Sequence, residues 1–124
     1  MGLLDGLLGN ASEKDAQELQ QQLNRILASG ERIEHAYAII RDQLIFTNKR
    51  LILVDKQGMT GKKQEFLSVP YRSIERFSME TVGHFDLESE LNIWVRGQDE
   101  PIRKTFRNDK SVYDIYRALA EYAL

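Results

Sequence analysis

The spacing of apolar residues changes character along this chain. Ala16, Leu19, Leu23, Ile26 and Leu27 recur at steps of three and four, which places them on one face of a helix. Asn10 or Ser12 can cap that helix, and Ser29-Gly30 ends it. From Ile33 the period shortens to two. Ile33, His35, Tyr37 and Ile39 alternate with Arg32, Glu34, Ala36 and Ala38, as expected of a first strand running to about Ile40. Two unbroken apolar runs follow, Leu44-Ile45-Phe46 and Leu51-Ile52-Leu53-Val54, around the polar break Thr47-Asn48-Lys49-Arg50. They read as a tight hairpin with strands near 43–47 and 50–55, since Asn tolerates the positive φ that such turns demand. Four more strands are expected at 63–69, 74–82, around 91–96 and 102–107. Pro70 stops the first of these because it cannot donate to a ladder. Helical spacing returns in Val112, Ile115, Tyr116, Leu119 and Ala123, after a cap at Asn108-Asp109.

This order predicts a mainly β fold with helices: a seven-stranded antiparallel sandwich or partly open barrel, one end plugged by the C-terminal helix, with an extra N-terminal helix. Residues 1–30 form an apolar segment and helix, and residues 31–124 form the barrel domain with its capping helix. Three stretches resemble the bacterial pleckstrin-homology (PH) domain family, in the PH-like superfold. They are Leu44 to Asp55, then Val69-Pro70-Tyr71-Arg72-Ser73-Ile74-Glu75-Arg76-Phe77, then Tyr113-Asp114-Ile115-Tyr116-Arg117-Ala118-Leu119. The resemblance covers about residues 31–124 and implies a seven-strand barrel with a C-terminal helix. It also implies a stand-alone cytosolic protein that forms homo-oligomers, often rings.

Composition narrows the function classes. A chain of 124 residues suits one domain with its own core. The net charge of −2 gives no general attraction for nucleic acid or anionic lipid. The absence of cysteine rules out disulfides, thiolate metal sites and a Cys nucleophile, and is compatible with a reducing cytoplasm. No apolar run approaches a membrane span, and the N-terminus lacks the basic segment and apolar core of a signal peptide.

Catalytic chemistry finds little to work with, and no enzyme activity, cofactor or metal is expected. His35 lies on an alternating strand. His84 and Asp86 share a loop without a nucleophile beside them. Asp86, Glu88 and Glu90 lack the spacing and glycine turn of a calcium loop. The Gly58-to-Lys63 stretch does not open a helix as a phosphate loop would. The basic cluster of lipid-binding PH domains is missing, because Arg41 is followed by Asp42 and preceded by apolar residues.

Apolar excess is the stronger clue. The hairpin runs do not alternate, so both faces of the hairpin need a cover. Candidates are the N-terminal helix, through Leu19, Leu23 and Ile26, the segment bearing Leu3, Leu4, Leu7 and Leu8, or another subunit. Ile52 and Val54 carry the surplus face, while Trp94, Arg96 and Arg103 look outward on later strands, where Trp and Arg are typical interface anchors. The expected function is a non-enzymatic binding or assembly domain that self-associates. The alternative is a peripheral membrane or lipid-head-group binder using the N-terminal leucines and a weak basic tip of Lys56, Lys62 and Lys63.

Overall fold

The alternating stretches become strands at nearly the expected places. In the computed structural model, which describes residues 19–39, 42–57, 63–81, 88–106 and 111–124, the strands are β1 (Ile33–Ile39), β2 (Asp42–Thr47), β3 (Arg50–Gln57), β4 (Lys63–Pro70), β5 (Ile74–Thr81), β6 (Ser89–Val95) and β7 (Ile102–Phe106). Helix α1 is described over residues 19–23, a 3-10 turn spans Tyr71–Ser73, and helix α2 spans Ser111–Ala123. The strands form two antiparallel sheets, ordered β1-β2-β3-β4 and β5-β6-β7. The chain divides into two compact units, one ending at Ser68 and one running from Val69 to Leu124.

In the first unit the hairpin register pairs Leu44 with Leu53, Ile45 with Ile52 and Phe46 with Leu51. Every residue from Leu44 to Thr47 and from Leu51 to Val54 is buried. Successive side chains leave opposite faces of a strand, so the sheet is buried on both sides here. One face is covered from within the chain. Leu19 and Leu23 of α1 form a single apolar cluster with Ala36, Ile45, Ile52 and Val54, edged by Ile26, Leu27, Ile33 and Ala38.

Helix α1 stops earlier than Ser29-Gly30. The amides of Ile26 and Leu27 both turn back to the Leu23 carbonyl, at 2.9 and 3.1 Å. The next backbone groups bond to side chains instead, as described below. Gly30, at φ +78°, then turns the chain towards β1.

In the second unit α2 covers one face of β5-β6-β7. Val112, Ile115, Ala118 and Leu119 are buried along it, and Leu91, Ile93 and Phe106 are buried along the strands. Phe77 meets Tyr116 edge to face at 5.3 Å between ring centres, and Tyr71 stacks on Tyr122 at 5.1 Å. Such ring pairs add about 0.5–1.5 kcal/mol each beyond the area they bury.

Candidate assembly surfaces

The surplus face of the hairpin is not a free surface. Leu19, Leu23, Ile26, Ile52 and Val54, read from the sequence as interface candidates, belong to the cluster between α1 and its own sheet. The physical reason is that Leu19 and Leu23 pack within the chain on this face of the sheet and satisfy the apolar demand of Ile45, Ile52 and Val54. Leu3, Leu4, Leu7 and Leu8 lie outside the described residues.

A polar knot fixes α1 in place. Glu31 is buried at 8% exposure. Its carboxylate accepts hydrogen bonds from the Ala28 amide at 2.8 Å, the Thr47 hydroxyl at 2.6 Å, and Arg50 Nε and Nη2 at 2.8 and 3.0 Å. The same guanidinium donates to the Ile26 carbonyl and to Ser68 Oγ, both at 2.7 Å. Burial alone would raise the carboxyl pKa. The donors from Arg50, Ala28 and Thr47, with the Arg50 charge, outweigh that effect and hold it at about 2. The hairpin turn is closed mainly by Thr47, whose Oγ1 accepts the amides of Lys49 and Arg50 at 3.0 Å each. Asn48 serves a different purpose from the one its turn propensity suggests. Its amide oxygen accepts the Arg32 N–H at 2.7 Å and its amide nitrogen donates to the Gly30 carbonyl at 3.2 Å, tying the turn to the α1–β1 connection.

Adjacent apolar side chains remain exposed on β4. Four large apolar side chains stay exposed among the described residues, and two of them, Phe66 at 37% and Leu67 at 39%, are neighbours on this strand. Being successive, they point to opposite faces. From Glu65 to Ser68 the strand is exposed throughout, and it lies at the edge of its sheet. An edge strand offers unpaired backbone groups to another strand. Lys63 and Pro70 bound the strand, the residue types that commonly blunt such edges. The sequence signal was present in the adjacent Phe-Leu pair, but alternation alone does not separate an edge strand from a central one.

The second surface is the face of β5-β6-β7 opposite α2. The register sets Arg76 beside Trp94, Ser78 beside Asn92 and Glu80 beside Glu90, with Arg103 next to Asn92 and Thr105 next to Glu90. Trp94 is half-buried, and the Arg76 guanidinium lies 4.4 Å from its ring centre. This cation–π contact is the cover that Trp94 has from its own sheet. Arg96 follows β6 and is exposed, its amide bonded to the Ser73 carbonyl at 2.8 Å and its guanidinium to the Arg72 carbonyl at 3.4 Å. Arg103 is exposed on β7. At the other end of the face, Glu80, Glu88 and Glu90 line a groove of about 320 Å³ with Thr81, Ser89 and Thr105.

The remaining candidates stay apart. Lys56 and Lys63 are exposed on β3 and β4, and Lys62 lies outside the described residues, as do His84 and Asp86. His35 is half-buried and stacks on Tyr37, with 6.3 Å between ring centres. Among the described residues no group of three or more histidine or acidic side chains is placed to hold a metal ion. No described helix is long and apolar enough to cross a membrane.

Comparison with known proteins agrees with this architecture. The family model described as "Bacterial PH domain" matches residues 2–123. The uncharacterized protein YjqA of Bacillus subtilis is 56% identical over 121 residues, 97% of each chain. Among solved structures, the pleckstrin homology domain from Shewanella amazonensis SB2B matches with a TM-score of 0.82 at 47% identity, over 98% of both chains. A DUF1696 family protein with a pleckstrin-homology domain from Shewanella loihica PV-4 matches with a TM-score of 0.75 at 45% identity, over 87% of this chain and 92% of its own. A family match along nearly the whole chain, carried by seven strands and a C-terminal helix in the expected order, makes this protein a member of the bacterial PH domain family with a PH-like fold.

Proposed function

We propose that this PH-like domain is a non-catalytic assembly module that associates with copies of itself. The observation that carries the reading is β4, an edge strand whose Phe66 and Leu67 remain exposed on opposite faces. Addition of a strand there would satisfy the edge and cover both side chains at once. The polar side chains of the described residues favour structure over chemistry. Glu31, whose carboxyl is held well below the usual range by Arg50, Ala28 and Thr47, is buried and saturated by hydrogen bonds inside the fold.

Size-exclusion chromatography with light scattering tests the reading on the full chain and on Leu67→Lys. The wild type should elute as an oligomer, and the lysine, placed on an exposed strand, should shift it towards the monomer. A wild type that stays monomeric across a wide concentration series refutes self-association.

A further inference from the structure

The outer face of β5-β6-β7 is divided by charge along its strands. One end carries Arg76 stacked on Trp94, and the other carries Glu80, Glu88 and Glu90. Between them lies a neutral row, the half-buried Ser78 and the buried Asn92, with Arg103 exposed at its β7 edge, so the accessible part of the face is its charged ends and that edge. Arg76 and Glu80 are four residues apart on one strand, hence about 13 Å apart. Glu80 and Glu90 sit directly opposite each other on adjacent strands, an arrangement that is unfavourable for like charges. Asn92 Nδ2 donates to Glu90 Oε1 at 3.2 Å, which offsets part of that repulsion, but neither these two carboxylates nor Glu88 has an ion-pair partner among the described residues.

We infer that this face docks on the same face of a second copy, with the two sheets antiparallel, so that Arg76 of each copy meets Glu80 of the other. The required symmetry is a two-fold axis lying between the sheets and running across the strands at the level of Ser78 and Asn92. That operation keeps β5 over β5 and β6 over β6 while exchanging the basic and acidic ends. It gives two equivalent Arg76–Glu80 contacts and places each Trp94 over Glu90 of the other copy. Arg103 lies near the axis, where its long side chain reaches diagonally towards Glu90 of the other copy. Arg76 is suited to the contact because a guanidinium stacked on an indole keeps its N–H edge free for a carboxylate. A partner of another kind would need a matching bipolar pattern by coincidence, whereas a second copy carries it by construction. Three strands of five residues span only about 14 by 17 Å, so the contact belongs to the small, salt-sensitive class. It adds a second contact to the strand-edge association proposed above and rests on that reading, each strengthening the other through effective concentration.

Charge exchange tests the geometry. Arg76→Glu and Glu80→Arg are prepared singly, as a mixture of the two variants, and as the double variant, and molar mass is followed by light scattering at low and high salt. Each single variant should weaken this contact at least about tenfold, because glutamate then faces glutamate or arginine faces arginine. The mixture and the double variant should both recover it, since every contact again joins opposite charges. Recovery also establishes that the variants fold. Wild-type association that neither single variant changes overturns this inference and leaves self-association through β4 standing. Loss in the singles without recovery in either the mixture or the double variant overturns the two-fold pairing. A monomeric wild type at low salt overturns both readings.

Discussion

Replacing Glu31 by Gln should lower stability by an amount that depends on pH. The carboxyl moves from an ordinary value of 4.5 to about 2 in the folded chain. At about 1.36 kcal/mol per pKa unit, its ionised form contributes about 3 kcal/mol of folded-state stability when fully present. A depressed pKa sets the sign. The contribution is complete above about pH 4.5, where the unfolded carboxyl also ionises, and is lost as the pH falls towards 2. The side chain is 1% exposed and its Arg50 partner 24%, so solvent screening takes little from this figure. In urea titrations followed by circular dichroism, the gap between wild type and Glu31→Gln should be about 3 kcal/mol at pH 6 and about 1.4 kcal/mol at pH 3. Circular dichroism is the right probe because the single tryptophan, Trp94, belongs to the other unit of the chain. A gap that stays constant between pH 6 and pH 3 would refute the assignment of this stability to the ionised Glu31. So would a carboxyl titration by NMR with a midpoint near 4.5 in the folded protein.

Two further substitutions separate packing from backbone effects. Leu23→Ala empties a fully buried position under α1 and should cost about 2–5 kcal/mol in the same assay; a loss below about 1 kcal/mol would mean that α1 is not a working cover for the hairpin. Gly30→Ala meets no atom within 4 Å but must hold φ +78°, so it should cost only the left-handed backbone penalty, about 1 kcal/mol, and a gain in stability would contradict that conformation.

The parts of the fold governed by local periodicity were legible in the sequence. The hairpin strands, the β1 alternation and the face of α2 all follow from spacing, and each appears within a few residues of its expected bounds. The knot was not legible, because Glu31, Thr47 and Arg50 lie on different elements and only the folded register brings them together. Asn48 marked the turn correctly, yet the bonds across the turn come from Thr47, a residue with weaker turn propensity. For the assembly surfaces, spacing identified Trp94 as outward-facing but not Arg76 as its cover, since their pairing follows a register shift between Ile74 and Arg76. Exposure at Phe66 and Leu67 depends on β4 being an edge strand, which is a property of sheet order rather than of the strand's own sequence.

Strand order has a kinetic consequence. In both sheets the spatial order of strands is the order of the chain, β1 to β4 and β5 to β7. Each sheet is a meander, so among the described residues each ladder closes a loop between consecutive strands. Loop-closure entropy is therefore small at each step, and low contact order favours rapid folding for a β protein. A ribosome that has released the first four strands has released all four strands of the first sheet. Its hairpin can zip, and Glu31 can find Arg50, before β5 has been translated.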